Sequence, residues 1–143
     1  MKQLVVLFSA LLFCTITGCS KEKLPADIPS LHPCHITIQM KGSPLEGATV
    51  SLLPEQGKWG AAGITNAQGI AELRTRNYRG VAEGSYKITV SKIQGGTSPG
   101  TDEGPAIPPV SLVNETFANP EKTPLKCEIK SGENSFELTV DPS

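Results

Sequence analysis

The stretch Met40-Lys41-Gly42-Ser43-Pro44-Leu45-Glu46-Gly47-Ala48-Thr49-Val50-Ser51-Leu52-Leu53-Pro54, resumed after a loop at Gly63-Ile64-Thr65-Asn66-Ala67-Gln68-Gly69-Ile70-Ala71-Glu72-Leu73, decides how this chain folds. It reads as three short strands and two tight turns. Between Gly42 and Gly47, two glycines and a proline supply the positive φ and the fixed φ that a turn needs. Ala48, Val50 and Leu52 then alternate with Thr49 and Ser51, so one face of the strand is apolar. Asn66 and Gly69 again fall where left-handed backbone is cheap, between Ile64 and Ile70, so Ala61–Thr65 and Ile70–Thr75 are expected to pair as a hairpin. The loop in between holds Trp59, the only tryptophan, which this reading places as a lid on the edge of the core.

The same alternation recurs on both sides. His35 to Lys41 places Ile36, Ile38 and Met40 on one face and Thr37, Gln39 and Lys41 on the other, the pattern of a half-buried antiparallel strand. Ser85 to Ile93 does the same through Tyr86, Ile88 and Val90. Two more strands are expected at Leu125–Lys130 and Ser135–Val140, joined by residues 131–134. Counting gives an all-β chain, a small antiparallel β-sandwich of about seven strands with no convincing helix. Residues 94–124 form a long Pro/Gly-rich loop, with Gly95 to Pro109 expected to be disordered and Val110, Leu112, Val113 and Phe117 available to dock on the core.

The first residues have another grammar. Lys2 precedes an apolar run from Leu4 to Phe13, too short to span a bilayer, and the run ends at Ile16-Thr17-Gly18-Cys19. That junction resembles the lipobox of bacterial lipoproteins. The resemblance implies a signal peptide over residues 1–18, cleaved to leave Cys19 as an N-terminus carrying acyl chains such as palmitate. Each buried CH₂ contributes about 0.8 kcal/mol, so two or more chains hold a protein on a membrane. Residues 19–33, with Lys21-Glu22-Lys23 and several prolines, are expected to be a tether to a domain over 34–143. Ser20 rather than Asp after the lipidated cysteine favours, by resemblance to a known sorting rule, the outer membrane over the inner.

Without residues 1–18 the chain keeps twelve Lys and Arg against fourteen Asp and Glu. That balance carries no nucleic-acid footprint. Two cysteines also remain besides Cys19, in a compartment that permits disulfides. Cys34 opens the first strand and Cys127 lies in the penultimate one, so a Cys34–Cys127 disulfide is expected to staple the domain, the alternative being two free buried thiols.

Three motifs in order carry a family resemblance: Lys41 to Val50, Ile64 to Gly69, and Gly84-Ser85-Tyr86-Lys87-Ile88-Thr89-Val90. They are similar to the G-x-P-L-x-G-A-x-V, T-x-x-x-G and G-x-Y-x-V-x-V signatures of the carboxypeptidase regulatory-like, or transthyretin-like (prealbumin-like), β-sandwich. Asn119 to Leu125 and Lys130 to Phe136 further resemble the ending of small planctomycete lipoproteins of this kind. The resemblance covers the chain from about residue 36 onward and implies an extracytoplasmic accessory domain.

Catalytic and metal chemistry finds little footing in the remaining residues. His32, Cys34 and His35 are zinc-type ligands, but a closed site needs four ligands and no second cluster follows. Tyr78-Arg79-Gly80 resembles the ending of transthyretin-like hydroxyisourate hydrolases, yet it is internal here and both histidines lie near the tether. An intradiol dioxygenase needs tyrosines beside a histidine pair, which the order does not provide. No catalytic residue, metal or cofactor is therefore expected, and the chain is not expected to be an enzyme. The expected role is a membrane-anchored, non-catalytic binding or structural module of the cell envelope, with an envelope protein or a glycan as partner. A carbohydrate-binding or accessory domain of an envelope enzyme complex is the alternative, and a small hydrolase comes after it. The basic cluster Arg74, Arg76 and Arg79 reads as a solvated face, or as a site for carboxylates or polysaccharide.

Overall fold

The computed structural model describes residues 23–96 and 107–143. The signal peptide and Cys19 lie outside the described residues, as does the centre of the segment expected to be disordered. Along the chain the elements are β1 (Leu31–His32), β2 (Cys34–Met40), β3 (Ser43–Pro44), β4 (Thr49–Pro54), β5 (Ala61–Ile64), β6 (Ile70–Glu72), β7 (Arg74–Thr75), β8 (Tyr78–Arg79), β9 (Val81–Ala82), β10 (Gly84–Ser91), β11 (Ile93–Gln94), β12 (Val110–Ser111), a one-turn helix α1 (Glu115–Ala118), β13 (Lys126–Ile129) and β14 (Asn134–Val140).

These strands make an all-β sandwich. One sheet runs β13-β10-β4-β5-β7-β8; the other is built on β2, which pairs with β14 on one side and with β3 and β6 on the other. The alternating runs supply the core between them. Ile36 and Ile38 of β2 meet Val50 and Leu52 of β4 and Ile88 and Val90 of β10 in one cluster, all at most 1% exposed. Burying each such side chain contributes roughly 1.5–3 kcal/mol. The partners on the opposite face of these strands, such as Thr37, Ser51 and Thr89, are only half buried.

Turn chemistry fixes the corners. Lys41 and Gly42 both take positive φ, 52° and 76°, and turn β2 into β3 with Met40 opposite Ser43. Asn66 receives the amides of Gln68 and Ile70 on its Oδ1. Gly69 sits at φ 74°, where a Cβ would stand 2.6 Å from the Ile38 carbonyl oxygen, so no larger residue fits that turn. The buried Thr65 hydroxyl accepts the Ala48 amide at 2.8 Å and donates to the Leu45 carbonyl, tying the two turns of the deciding stretch together.

Three features differ from the expectations. The 65–69 turn is a corner between sheets and not a hairpin: β5 belongs to the six-stranded sheet while β6 pairs with β2. Residues 131–133 likewise carry the chain from β13 in one sheet to β14 in the other, and β14 runs parallel to β2. Asn134 pins that crossover, accepting the Lys130 amide at 3.0 Å and donating to the carbonyls of Lys130 and Gly132. The tether is shorter than expected, because Ile28 is 6% exposed and β1 pairs with β9. The second half of the long loop docks on the core in part, as expected. Val113 is fully buried and Phe117 packs on the core, but Val110 is 57% exposed. The short helix α1 is capped by Asn114, whose Oδ1 accepts the Thr116 amide.

Candidate functional site

The outward face of the six-stranded sheet ends in exposed Arg74, next to the turn that carries Arg76. Register aligns Thr89 of β10, Ser51 of β4, Ala62 of β5 and Arg74 of β7 in one row. A shallow trough of about 440 Å³ opens on this face, lined by Ser51, Leu53, Gly60, Ala62, Arg74 and Arg76. Gly60 lets the Trp59 loop lie close on β4, since a Cβ there would stand 2.9 Å from the Leu52 carbonyl oxygen.

Trp59, half buried, organises the cationic end. The Arg76 guanidinium stands 4.6 Å from its ring centroid and the Lys58 ammonium 4.7 Å, within the range in which the ring's quadrupole attracts a cation. Arg76 reaches this position from the two-residue turn between β7 and β8, at φ 54°. That conformation is uncommon for a residue with a Cβ. The opposing charge is thin. Arg76 Nη1 lies 4.0 Å from Asp27, and Arg74 Nη1 donates to the Asn77 carbonyl at 3.3 Å. Among the described residues neither Lys58 nor Arg74 is in an ion pair. Further along the face, Lys126 bonds Glu55 at 2.8 Å and holds that carboxyl below its ordinary range.

Sequence reasoning grouped Arg79 with Arg74 and Arg76. The structure separates it: Arg79 Nε pairs with Glu72 of β6 at 3.3 Å, away from the trough. Lys58 joins this cationic group although it lies outside the sequence cluster of arginines. Its signal was adjacency to the only tryptophan in a loop.

The residues weighed as metal ligands diverge. His32 Nδ1 accepts the Gly132 amide at 3.2 Å, and Nε2 lies 3.1 Å from Glu83, so the imidazole clamps β1 against the corner between the sheets. His35 Nδ1 is 4.0 Å from Glu133. Cys34 turns inward, 1% exposed, behind a cleft of about 260 Å³ edged by His35, Glu72 and Arg79.

The expected disulfide is corrected: Cys34 and Cys127 are both free and buried. Cys34 belongs to the β2 sheet and Cys127 to the facing one. Facing sheets carry a disulfide only where the two side chains meet with Cα atoms roughly 4.4–6.8 Å apart, and here the thiols stay unbonded although Cys127 senses Cys34. The two thiols fill the core as small apolar groups beside Tyr86. Burial pushes Cys34 up to about 11, and burial together with the nearby Cys34 pushes Cys127 up to about 12. At neutral pH both are therefore thiols and not nucleophilic thiolates. Tyr86 is raised as well, mainly by burial, and donates its hydroxyl to the Ala82 carbonyl at 2.9 Å.

No protein-family model matches the chain, and no curated protein matches it. Among solved structures it is similar to a DUF3823 family protein from Parabacteroides merdae ATCC 43184, at 10% identity and a TM-score of 0.35. The match covers 78% of this chain and 45% of that one, so the chain spans less than half the length of that neighbour.

Proposed function

We propose that this protein is a lipid-anchored, extracytoplasmic module of the cell envelope that binds a partner without catalysing a reaction. Its finer kinship, on the three turn-and-strand motifs, is with carboxypeptidase regulatory-like, transthyretin-like domains of small lipoproteins such as those of planctomycetes. The observation that carries the reading is the cationic trough beside Trp59. It is a preformed surface whose cations are held in place by an aromatic ring, with Asp27 as the acidic side chain paired to them. Anchoring rests on the Leu4–Phe13 run and the Ile16-Thr17-Gly18-Cys19 junction. With β1 docked, the linker between Cys19 and the folded domain is short, so the sandwich works close to the bilayer, with the outer membrane as the favoured surface.

Expression with the native N-terminus tests the anchoring. The protein is expected to enter the detergent phase on phase separation, and Cys19→Ala is expected to move it to the aqueous phase. A mature chain beginning anywhere other than Cys19 would overturn the lipoprotein reading. Crosslinking on intact cells, compared between the native chain and Arg74→Gln/Arg76→Gln, tests the binding role. Adducts that depend on the two arginines are expected.

A further inference from the structure

We infer that the trough takes a carboxylate-bearing polysaccharide, one strand of which lies across the row Thr89-Ser51-Ala62-Arg74 with its acid groups on Arg74, Arg76 and Lys58. The inference rests on the binding-module reading and names its ligand class.

Three observations select this chemistry. First, the trough is shallow and offers the Ser51 hydroxyl beside Ala62 and Leu53, with Thr89 next to Ser51 in the same strand row. A pyranose ring can lay one face on such a surface and hydrogen-bond to its hydroxyls. Second, the guanidinium groups sit at one end, and their planar forks match a carboxylate with two parallel hydrogen bonds. Arg74 is in no ion pair among the described residues, and Arg76 meets Asp27 only at 4.0 Å, so an incoming carboxylate displaces little. Third, Trp59 already holds Lys58 and Arg76 at its ring. Single-stranded nucleic acids are held by stacking bases on free aromatic faces along a long basic groove. Here the ring is engaged, three cations make the cluster, and the chain's net charge is −1. That arrangement suits the sparser charge of a uronic-acid polymer better than a polyphosphate.

Trp59 is the sole tryptophan and therefore reports directly on the site. The detergent-solubilised full-length protein is titrated with polygalacturonate, neutral dextran and double-stranded DNA, following tryptophan fluorescence. A saturable change with polygalacturonate and none with dextran is expected. Raising salt from about 50 to about 300 mM should weaken it, since these charges are exposed. Arg74→Gln/Arg76→Gln should weaken it about tenfold, the size expected when exposed charge pairs are lost. Both residues are solvent-facing, and an unchanged melting temperature verifies that the variant folds; Lys58→Gln, in a loop, provides a second test.

DNA binding as strong as that of polygalacturonate would overturn the saccharide assignment while leaving the trough as a binding surface. Polygalacturonate affinity unchanged in both variants would overturn the location. A protein that responds to no polymer yet still gives arginine-dependent crosslinks on cells would overturn the ligand class and keep the module reading, so the two failures are distinguishable.

Discussion

At the scale of single residues, the buried thiols show how position overrides composition. Two cysteines in a chain read as extracytoplasmic invite pairing, but Cys34 and Cys127 project from opposite sheets into one core and stay free. Their raised pKa values make a stability prediction with a definite sign. A thiol whose folded pKa lies above its unfolded value near 9 binds its proton more tightly when folded. Its contribution is whole below pH 9 and is lost as pH rises towards 11–12. Stability to denaturant is expected to fall over this window, with a limiting slope of about 2.7 kcal/mol per pH unit when both thiols contribute. Thiol reagent applied without reductant should leave both residues unlabelled in the native protein and label both on unfolding, as located by peptide mass. An unfolded chain that takes label only after reduction would mean that the bond exists. Alternation predicted the burial of both residues, but it does not report which sheet each strand joins.

Among elements, the strands read most easily were those whose alternation is long. Ile36-Ile38, Val50-Leu52 and Tyr86-Ile88-Val90 all face the core as expected. What the sequence did not reveal were the places where the chain changes sheets. A Gly/Asn turn between two apolar strands looks the same whether it closes a hairpin or rounds a sandwich corner. The turns at 65–69 and 131–133 are corners, and pairing with β2 decides this from a distance of 30 residues or more in sequence. The tether was misjudged for a related reason, since Ile28 and Leu31 in a proline-rich run carry no periodicity. Ile28→Ala is expected to cost about 2 kcal/mol in chemical denaturation, the low end for a buried isoleucine at a domain edge. A freely mobile tether would show no loss at all.

For the molecule as a whole, the candidate site was half legible. Arg74 and Arg76 stood out as a basic cluster and Trp59 as a unique aromatic. Their assembly depends on strand order, which brings β4, β5 and β7 side by side and points their small residues outward. No local pattern encodes that Ser51, Ala62 and Arg74 share a row. The same topology directs Arg79 to Glu72, so a cluster that is continuous in sequence is divided in space.

We propose that the outward face of the six-stranded sheet, at Trp59, is where this protein meets its partner. The most direct measurement is amide chemical-shift mapping of the isotope-labelled protein during titration with oligogalacturonate. Shifts are predicted at Ser51, Ala62, Arg74 and Arg76 and at the Trp59 indole, with Ser135, Glu137 and Thr139 on the opposite sheet unmoved. Perturbations centred on β14, or none at all at saturating oligosaccharide, would contradict it.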